Sequence, residues 1–266
     1  MKSSYYKYFA ALLLFGSNGI VASNINLPSY EIVLLRLLLG SLFLITVFTV
    51  SRQRFTFYRN KHTCLYLFIS ASAMGASWML LYEAYQQVGI SIASLAYYCG
   101  PVIVMILSPF LFRETLTWPK IAGFLTVLAG MCLVNLQALD EGKTIWGLFC
   151  GLMSAFMYAL MVTANKKAKP ESGLENSLLQ LVIGSFIVVA FVSMQKNFVL
   201  SLTTIDWIPV LLLGLLNTGI GCYLYFSSIT DLPVQTVAIC GYLEPLSAVV
   251  FSVLFLHEVL LPLQML

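Results

Sequence analysis

The sequence predicts an all-α fold: a polytopic membrane protein built as an inverted repeat of two five-helix halves. Apolar residues make up 60% of the chain and charged residues only 9%, whereas roughly a quarter of the residues of a soluble domain are charged. Nine apolar stretches are long enough to cross a bilayer, which takes roughly 20 residues. In addition, the stretch from Gly75 to Leu116 recurs without a gap 144 residues later. These three observations define the fold class.

The nine stretches predict nine membrane-spanning helices, and the connections between them are short, so no soluble domain is inserted. The predicted spans are 6–24, 30–51, 63–82, 91–112, 117–137, 144–165, 174–195, 207–229 and 233–256. Residues 1–139 then form the first repeat, with helices 1–5. Residues 140–266 form the second, with helices 6–9 and the start of a tenth.

The repeat is clearest at residue types that begin, break or end helices. Its most informative pairs are Tyr98 with Tyr242, Pro101 with Pro245, Ser108 with Ser252, Glu114 with Glu258, and Leu116 with Leu260. The shift carries helices 2, 3 and 4 onto helices 7, 8 and 9, so the unit has five helices. Because five is odd, the halves enter the membrane in opposite orientations, which is typical of secondary transporters. The counterpart of helix 5 would begin at 262 and run past Leu266, so we expect the last helix to be missing or truncated.

The basic residues predict a cytoplasmic N-terminus, because Lys and Arg concentrate in cytoplasmic loops. Of the 14 basic residues, Lys143 and Lys196 would lie outside and Arg36 within a helix. The other eleven would lie inside: Lys2, Lys7, Arg52, Arg54, Arg59, Lys61, Arg113, Lys120, Lys166, Lys167 and Lys169.

Several other classes of protein are not supported. The net charge of +3 is too small to indicate nucleic-acid binding, and the six cysteines show no CxxC or Cys/His spacing, so no zinc site, disulfide framework or cofactor is expected. Gly75-Ala76-Ser77-Trp78 superficially resembles a serine nucleophile turn, but His62 and His257 lie at membrane edges and could not activate it. No Walker A motif is present. An enzyme is therefore not predicted, and the expected partners are a small-molecule substrate and the lipid bilayer.

Short motifs in both halves carry a family resemblance. The first half contains Tyr98-Cys-Gly-Pro101 followed by Phe112-Arg-Glu114, and the second contains Leu243-Glu244-Pro245 followed by Glu258. Phe15-Gly16-Ser17-Asn18 opens with an aromatic-Gly-polar pattern, and Arg36 lies in helix 2. In their joint spacing these residues resemble the EamA-type permeases of the drug/metabolite transporter superfamily. The resemblance implies a two-repeat transporter of the bacterial inner membrane, from which the absent tenth helix is a departure.

Glu244 is the first candidate for the substrate site. It lies near the middle of the predicted helix 9, where an ionised carboxylate costs several kcal/mol unless it is paired, hydrated or protonated. It could bind substrate or a proton in the cavity between the halves. Alternatively, it is a structural group that bonds to backbone exposed near Pro245, because a proline leaves a carbonyl one turn upstream without its donor.

Arg36 is the second candidate, since its planar guanidinium could bind a carboxylate or phosphate. The alternatives are a pairing with Glu31 or an extension of the side chain towards the outer interface.

Aromatic and amide side chains complete the predicted site. Aromatic walls with a few convergent polar groups are typical of small-molecule pockets, although packing and interfacial belts also account for aromatic residues. The candidates are Trp78, Tyr82, Tyr98, Tyr223, Tyr242 and Asn18. Asn18 could equally form a helix-to-helix hydrogen bond. Pro101 and Pro245 are predicted to kink their helices symmetrically and to act as hinges.

The predicted function is that of a secondary transporter which exports a small organic metabolite, amino acid or drug by alternating access. If Glu244 exchanges protons, transport is coupled to proton movement in the opposite direction. Two alternatives remain open: a nutrient importer of the same fold, and a truncated membrane protein that does not transport.

Overall fold

The computed structural model describes residues 2–119, 121–123, 125–126, 129, 145–194 and 207–256. Its helices are α1 (Lys2–Gly16), α2 (Asn18–Ser23), α3 (Ser29–Val50), α4 (Lys61–Tyr97), α5 (Cys99–Phe112), α6 (Ile145–Ala168), α7 (Gly173–Met194), α8 (Trp207–Leu211), α9 (Gly221–Ile229), α10 (Val234–Cys240) and α11 (Leu243–Leu256). A 3-10 turn spans Phe57–Arg59, and a π-helical segment, Leu212–Ile220, joins α8 to α9. Most of the predicted helix 5, Lys143, Lys196, His257, Glu258 and the predicted start of helix 10 lie outside the described residues.

Within the described ranges, seven helical segments are long and apolar enough to cross a membrane. They are Tyr30–Val50, Lys61–Gly89, Ile92–Phe112, Ile145–Ala168, Gly173–Met194, Trp207–Ile229 and Val234–Phe255. Each overlaps a predicted span, which confirms the all-α, multi-pass membrane fold. The third helix is longer than predicted, because it continues beyond position 82 to Gly89.

The duplication is visible in the helix boundaries. Helix α7 lies 144 residues after α3 at both its first and its last residue, and α11 stands in the same relation to α5. In the first copy Gly89 adopts a positive φ of 79° inside α4, a conformation open to glycine because it lacks a Cβ. The matching position of the second copy is Pro233, which directly precedes α10. Both copies therefore bend at the same point.

The two copies interlock. Helix α4 packs along α6, and its counterpart α9 packs along α1; likewise α5 packs against α6, and α11 against α1. The first helix of each half thus lies against the third and fourth helices of the other half. Reciprocal hydrogen bonds tie α4 to α6, where the hydroxyls of Ser77 and Ser154 each donate to the other's carbonyl at 2.9 and 2.7 Å.

The predicted helix over 6–24 is divided at Ser17 into α1 and α2. The cause is tertiary rather than local. The side-chain amide of Asn217, in the π-helical segment, donates to the Leu14 carbonyl at 2.8 Å and to the Asn18 side-chain oxygen at 3.0 Å. Gly16 permits the close approach of α11, because a Cβ there would lie 2.0 Å from the Ser247 hydroxyl.

Helix breaks also occur at the same place in each copy, just before the two prolines. Helix α4 ends at Tyr97 and α5 begins at Cys99, while α10 ends at Cys240 and α11 begins at Leu243. Pro101 and Pro245 lie in the first turn of α5 and α11, where a backbone N–H has no helical partner to lose. The helices are thus interrupted symmetrically, as the prolines predicted, although the break precedes each proline. A hinge role stays a prediction.

Candidate functional site

Glu244 is the second residue of α11, directly after the helix break. Its side chain is half-buried, and none of the described residues donates a hydrogen bond to its carboxylate. The charge interacts electrostatically with the Arg36 guanidinium and with the phenols of Tyr97 and Tyr98 at the matching break in the first half. Among the described residues, the carboxylate therefore forms no bond to the backbone near Pro245, and its charge interacts with groups of the first half.

Arg36 contacts the second half from α3. The residue is 7% exposed, its Nε donates to the Thr218 hydroxyl at 2.9 Å, and its Cζ lies 4.5 Å from the centre of the Trp78 ring. Within the described residues it forms no ion pair with Glu31, and one Glu31 carboxylate oxygen is buried without a hydrogen bond. The structure thus turns Arg36 inward, towards Trp78 and Thr218, and not towards Glu31 or the membrane surface.

A continuous set of aromatic rings lines the region beside Glu244. Tyr97 lies 5.7 Å from Tyr98 and 5.5 Å from Tyr158, measured between ring centres. The Tyr158 hydroxyl lies 3.3 Å from that of Tyr225, and the Tyr225 ring lies 5.6 Å from that of Tyr8. The charge of Glu244 also interacts with Tyr8 and Tyr158. This tyrosine cluster, Tyr8, Tyr97, Tyr98, Tyr158 and Tyr225, joins helices of both halves around the carboxylate.

Four members of this site were missed by sequence reasoning: Tyr8, Tyr158, Tyr225 and Thr218. No repeat signal marks them, because the matching positions in the other copy are Leu152, Leu14, Leu81 and Met74. The structure also explains one asymmetry between the copies through Tyr158. Gly100, the repeat counterpart of Glu244, has no room for a Cβ, which would lie 2.7 Å from the Tyr158 ring.

The other predicted residues take different positions. Tyr242 is 5% exposed, and its hydroxyl donates to the Tyr98 carbonyl at 2.9 Å, so it links the two helix breaks to each other. The Asn18 side chain accepts the hydrogen bond from Asn217 at the break in helix 1. Tyr223 lies under the Lys7 ammonium, 5.9 Å from ring centre to nitrogen. Tyr82 packs edge-on against Tyr85, with ring centres 5.2 Å apart. The structure therefore brings together Glu244, Arg36, Trp78 and Tyr98, and gives Tyr242 and Asn18 bonds that connect helices.

The site combines charged and apolar groups. In the described part of the chain, no three His, Cys, Asp or Glu side chains are grouped so that they could hold a metal ion. What the site offers instead is one carboxylate, one guanidinium and aromatic walls, at the junction of two inverted repeats. Such a site between repeats, beside broken helices, is where secondary transporters bind their substrates.

Fold and site together define a multi-pass membrane transporter. A family comparison makes the assignment more specific: the EamA-like transporter family matches residues 3–136 and 145–266. The chain belongs to this family, whose members are transporters and not enzymes.

Named relatives agree with this assignment. The uncharacterised transporter YxxF of Bacillus subtilis is 27% identical over 256 residues, which cover 94% of this chain and 80% of that protein. The threonine/homoserine exporter RhtA of Escherichia coli K12 is 28% identical over 233 residues, which cover 87% and 75%. A solved crystal structure with 16% identity superposes on 100% of this chain and 92% of its own, with a TM-score of 0.82. This last likeness shows a shared fold.

Proposed function

We propose that the protein exports a small zwitterionic metabolite, of the amino acid class, from the bacterial cytoplasm by alternating access. The observation that carries the proposal is the placement of Glu244 and Arg36. They have opposite charges, come from different halves and interact electrostatically. Similarity to a protein named as a threonine/homoserine exporter supports both the substrate class and the direction.

The chemistry of the site fits both ends of an amino acid. A guanidinium binds a carboxylate through two parallel N–H donors, and a carboxylate side chain accepts hydrogen bonds from an ammonium group. The aromatic rings of Trp78 and the tyrosine cluster would contact the substrate's carbon skeleton. A substrate bound in this way replaces the water that both charged groups would otherwise keep, and it neutralises two charges that are costly at membrane depth.

The repeat architecture supplies the movement. Residues 1–139 and 140–266 would rock against each other about the helix breaks beside Pro101 and Pro245, exposing the site to one side and then to the other. With the N-terminus in the cytoplasm, the end of the molecule that carries Ser4, Glu114 and Lys166 is the inner one. This orientation places most basic residues on the side where membrane proteins concentrate them.

Glu244 can also couple transport to protons. A carboxylate without a donor among the described residues must be hydrated, bound to substrate or protonated at this depth. If an inward-moving proton exchanges with the substrate's ammonium group at Glu244, the inward proton gradient drives export.

Purified protein in liposomes tests the proposal. We expect wild-type protein to move radiolabelled L-threonine or L-homoserine, with a rate that rises when a proton gradient is imposed in the opposite direction. Glu244→Gln keeps the shape of the side chain and should abolish the response to the gradient. Glu171→Gln, at an exposed position, is the matched control. Undiminished gradient-driven transport by Glu244→Gln would reject the role of Glu244, and no transport of any amino acid by wild-type protein would reject the proposed substrate class.

A further inference from the structure

Thr218 stands out because its hydroxyl has two partners in different elements. It accepts the hydrogen bond from Arg36 Nε at 2.9 Å and donates to the Leu213 carbonyl at 2.8 Å, five residues earlier. Thr218 is fully buried. With its one proton committed to Leu213, the hydroxyl presents a lone pair to Arg36, so the direction of the Arg36 bond is fixed.

The π-helical segment Leu212–Ile220 explains how Thr218 comes to face Arg36. In a π-helix each backbone hydrogen bond spans five residues, one more than in an α-helix, and such segments are frequent at functional sites. Here two consecutive residues face different helices: Asn217 bonds to the break between α1 and α2, and Thr218 bonds to α3. Gly40, one turn after Arg36 in α3, permits this approach, because a Cβ there would lie 2.9 Å from the Thr218 methyl group.

Two contacts then fix the guanidinium completely. The Trp78 ring covers one face of it, and Thr218 occupies Nε. The two terminal nitrogens have no hydrogen-bond partner among the described residues, and they are not sealed in the protein interior. What remains available is the edge of the guanidinium with two parallel donors, which matches a carboxylate.

We propose that Thr218 is a positioning residue that aims Arg36 at a substrate carboxylate, and that the transporter selects for molecules with a free carboxylate. This inference rests on the proposed function, since it names the part of the amino acid that this side of the site recognises. Amides, esters and amino alcohols of the same size lack the second acceptor oxygen or the negative charge. They should therefore be poor substrates.

Variants of Thr218 separate its hydroxyl from its methyl group. Thr218→Val keeps the shape and loses the acceptor, whereas Thr218→Ser keeps the acceptor and loses the methyl group. In liposomes, Thr218→Val should raise the KM for L-threonine about tenfold, the factor that corresponds to loss of one well-aligned charge-assisted hydrogen bond. The value of kcat should change less than about twofold. Thr218→Ser, which keeps the acceptor hydroxyl, should have the same KM as the wild type. Neither variant should alter the KM for L-threoninol, which has no carboxylate.

A binding measurement tests the inference independently of transport. The probe is 3-hydroxybutyrate, which is threonine without its amino group. It should protect detergent-purified wild-type and Thr218→Ser protein from thermal unfolding, and it should protect Thr218→Val at about tenfold higher concentration. The inference would be overturned if 3-hydroxybutyrate protected Thr218→Val and wild type equally. It would also be overturned if Thr218→Val raised the KM for threonine and for threoninol by the same factor. If wild-type protein transports no amino acid but the protection follows the predicted order, the proposed function fails while the carboxylate site stands.

Discussion

Replacement of Glu114 should loosen the junction between the two halves. Glu114 follows α5 in the first half, and its two carboxylate oxygens accept the backbone N–H groups of Val234 and Gln235 at 2.7 and 2.9 Å. These N–H groups open α10 in the second half, where helical partners are lacking. The carboxylate is part-buried, so water can replace some of what is lost. Removal of a helix cap costs about 0.5–2 kcal/mol and hydrogen bonds to a charged group are worth about 1.5–3 kcal/mol; we expect about 2 kcal/mol for Glu114→Ala.

Thermal unfolding in detergent measures this cost. A loss of about 2 kcal/mol corresponds to a fall in Tm of about 4–8 °C for a chain of this size. Glu114→Gln keeps one acceptor oxygen and should lie between wild type and Glu114→Ala. Glu171→Ala removes an exposed carboxylate and should shift Tm by less than about 1 °C. A Glu114→Ala protein that unfolds at the same temperature as Glu171→Ala would refute the view that Glu114 connects the halves.

Two further substitutions test the packing of the junction. Gly16→Ala should push α1 away from α11, because its Cβ would lie 2.0 Å from the Ser247 hydroxyl and 2.9 Å from the Glu244 carbonyl. We expect weaker substrate binding and a lower Tm. Gly19→Ala is the control, because a Cβ there has nothing within 4 Å, and it should change neither quantity. Lys166→Met should destabilise the protein by about 2 kcal/mol, measured by thermal unfolding, because its ammonium donates to the carbonyls of Ile229, Thr230 and Leu232 at the end of α9. A Tm within about 1 °C of wild type would contradict this expectation.

The fold could be predicted from the sequence because both of its determinants are local or periodic. Long apolar stretches identify the spans, and a fixed shift between punctuating residues identifies the duplication. The shift of 144 residues read from Tyr98 and Tyr242 is the shift that separates the ends of α3 from those of α7. Prolines likewise located the symmetric helix breaks to within a few residues.

The site could be predicted only where its residues contrast with their surroundings. Glu244 and Arg36 are charged residues within apolar helices. Because a charged side chain in the membrane costs free energy, such residues can be recognised as functional candidates from the sequence. Thr218 and Tyr158 carry no such signal, because neither residue type is unusual in a membrane helix. Their importance arises from the partners that the fold supplies: the Arg36 guanidinium for Thr218, and the rings of Tyr97 and Tyr225 for Tyr158.

The break at Ser17 shows the same limitation. Nothing in Phe15-Gly16-Ser17-Asn18 forces a helix to end, and the sequence favours one continuous span. The break depends on Asn217, 200 residues away, whose amide bonds to the Ser17 hydroxyl at 2.9 Å and to the Leu14 carbonyl at 2.8 Å. A tertiary partner thus overrides the local preference.

The most direct test of the central claim is the equilibrium binding of three matched compounds to purified wild-type protein and Glu244→Gln. L-Threonine offers both charges, threoninamide only the ammonium and 3-hydroxybutyrate only the carboxylate. If Glu244 and Arg36 hold opposite ends of one substrate, threonine should bind wild type at least about tenfold more tightly than either analogue. In Glu244→Gln, threonine and 3-hydroxybutyrate should bind equally. Equal affinity of all three compounds for the wild-type protein would contradict the account.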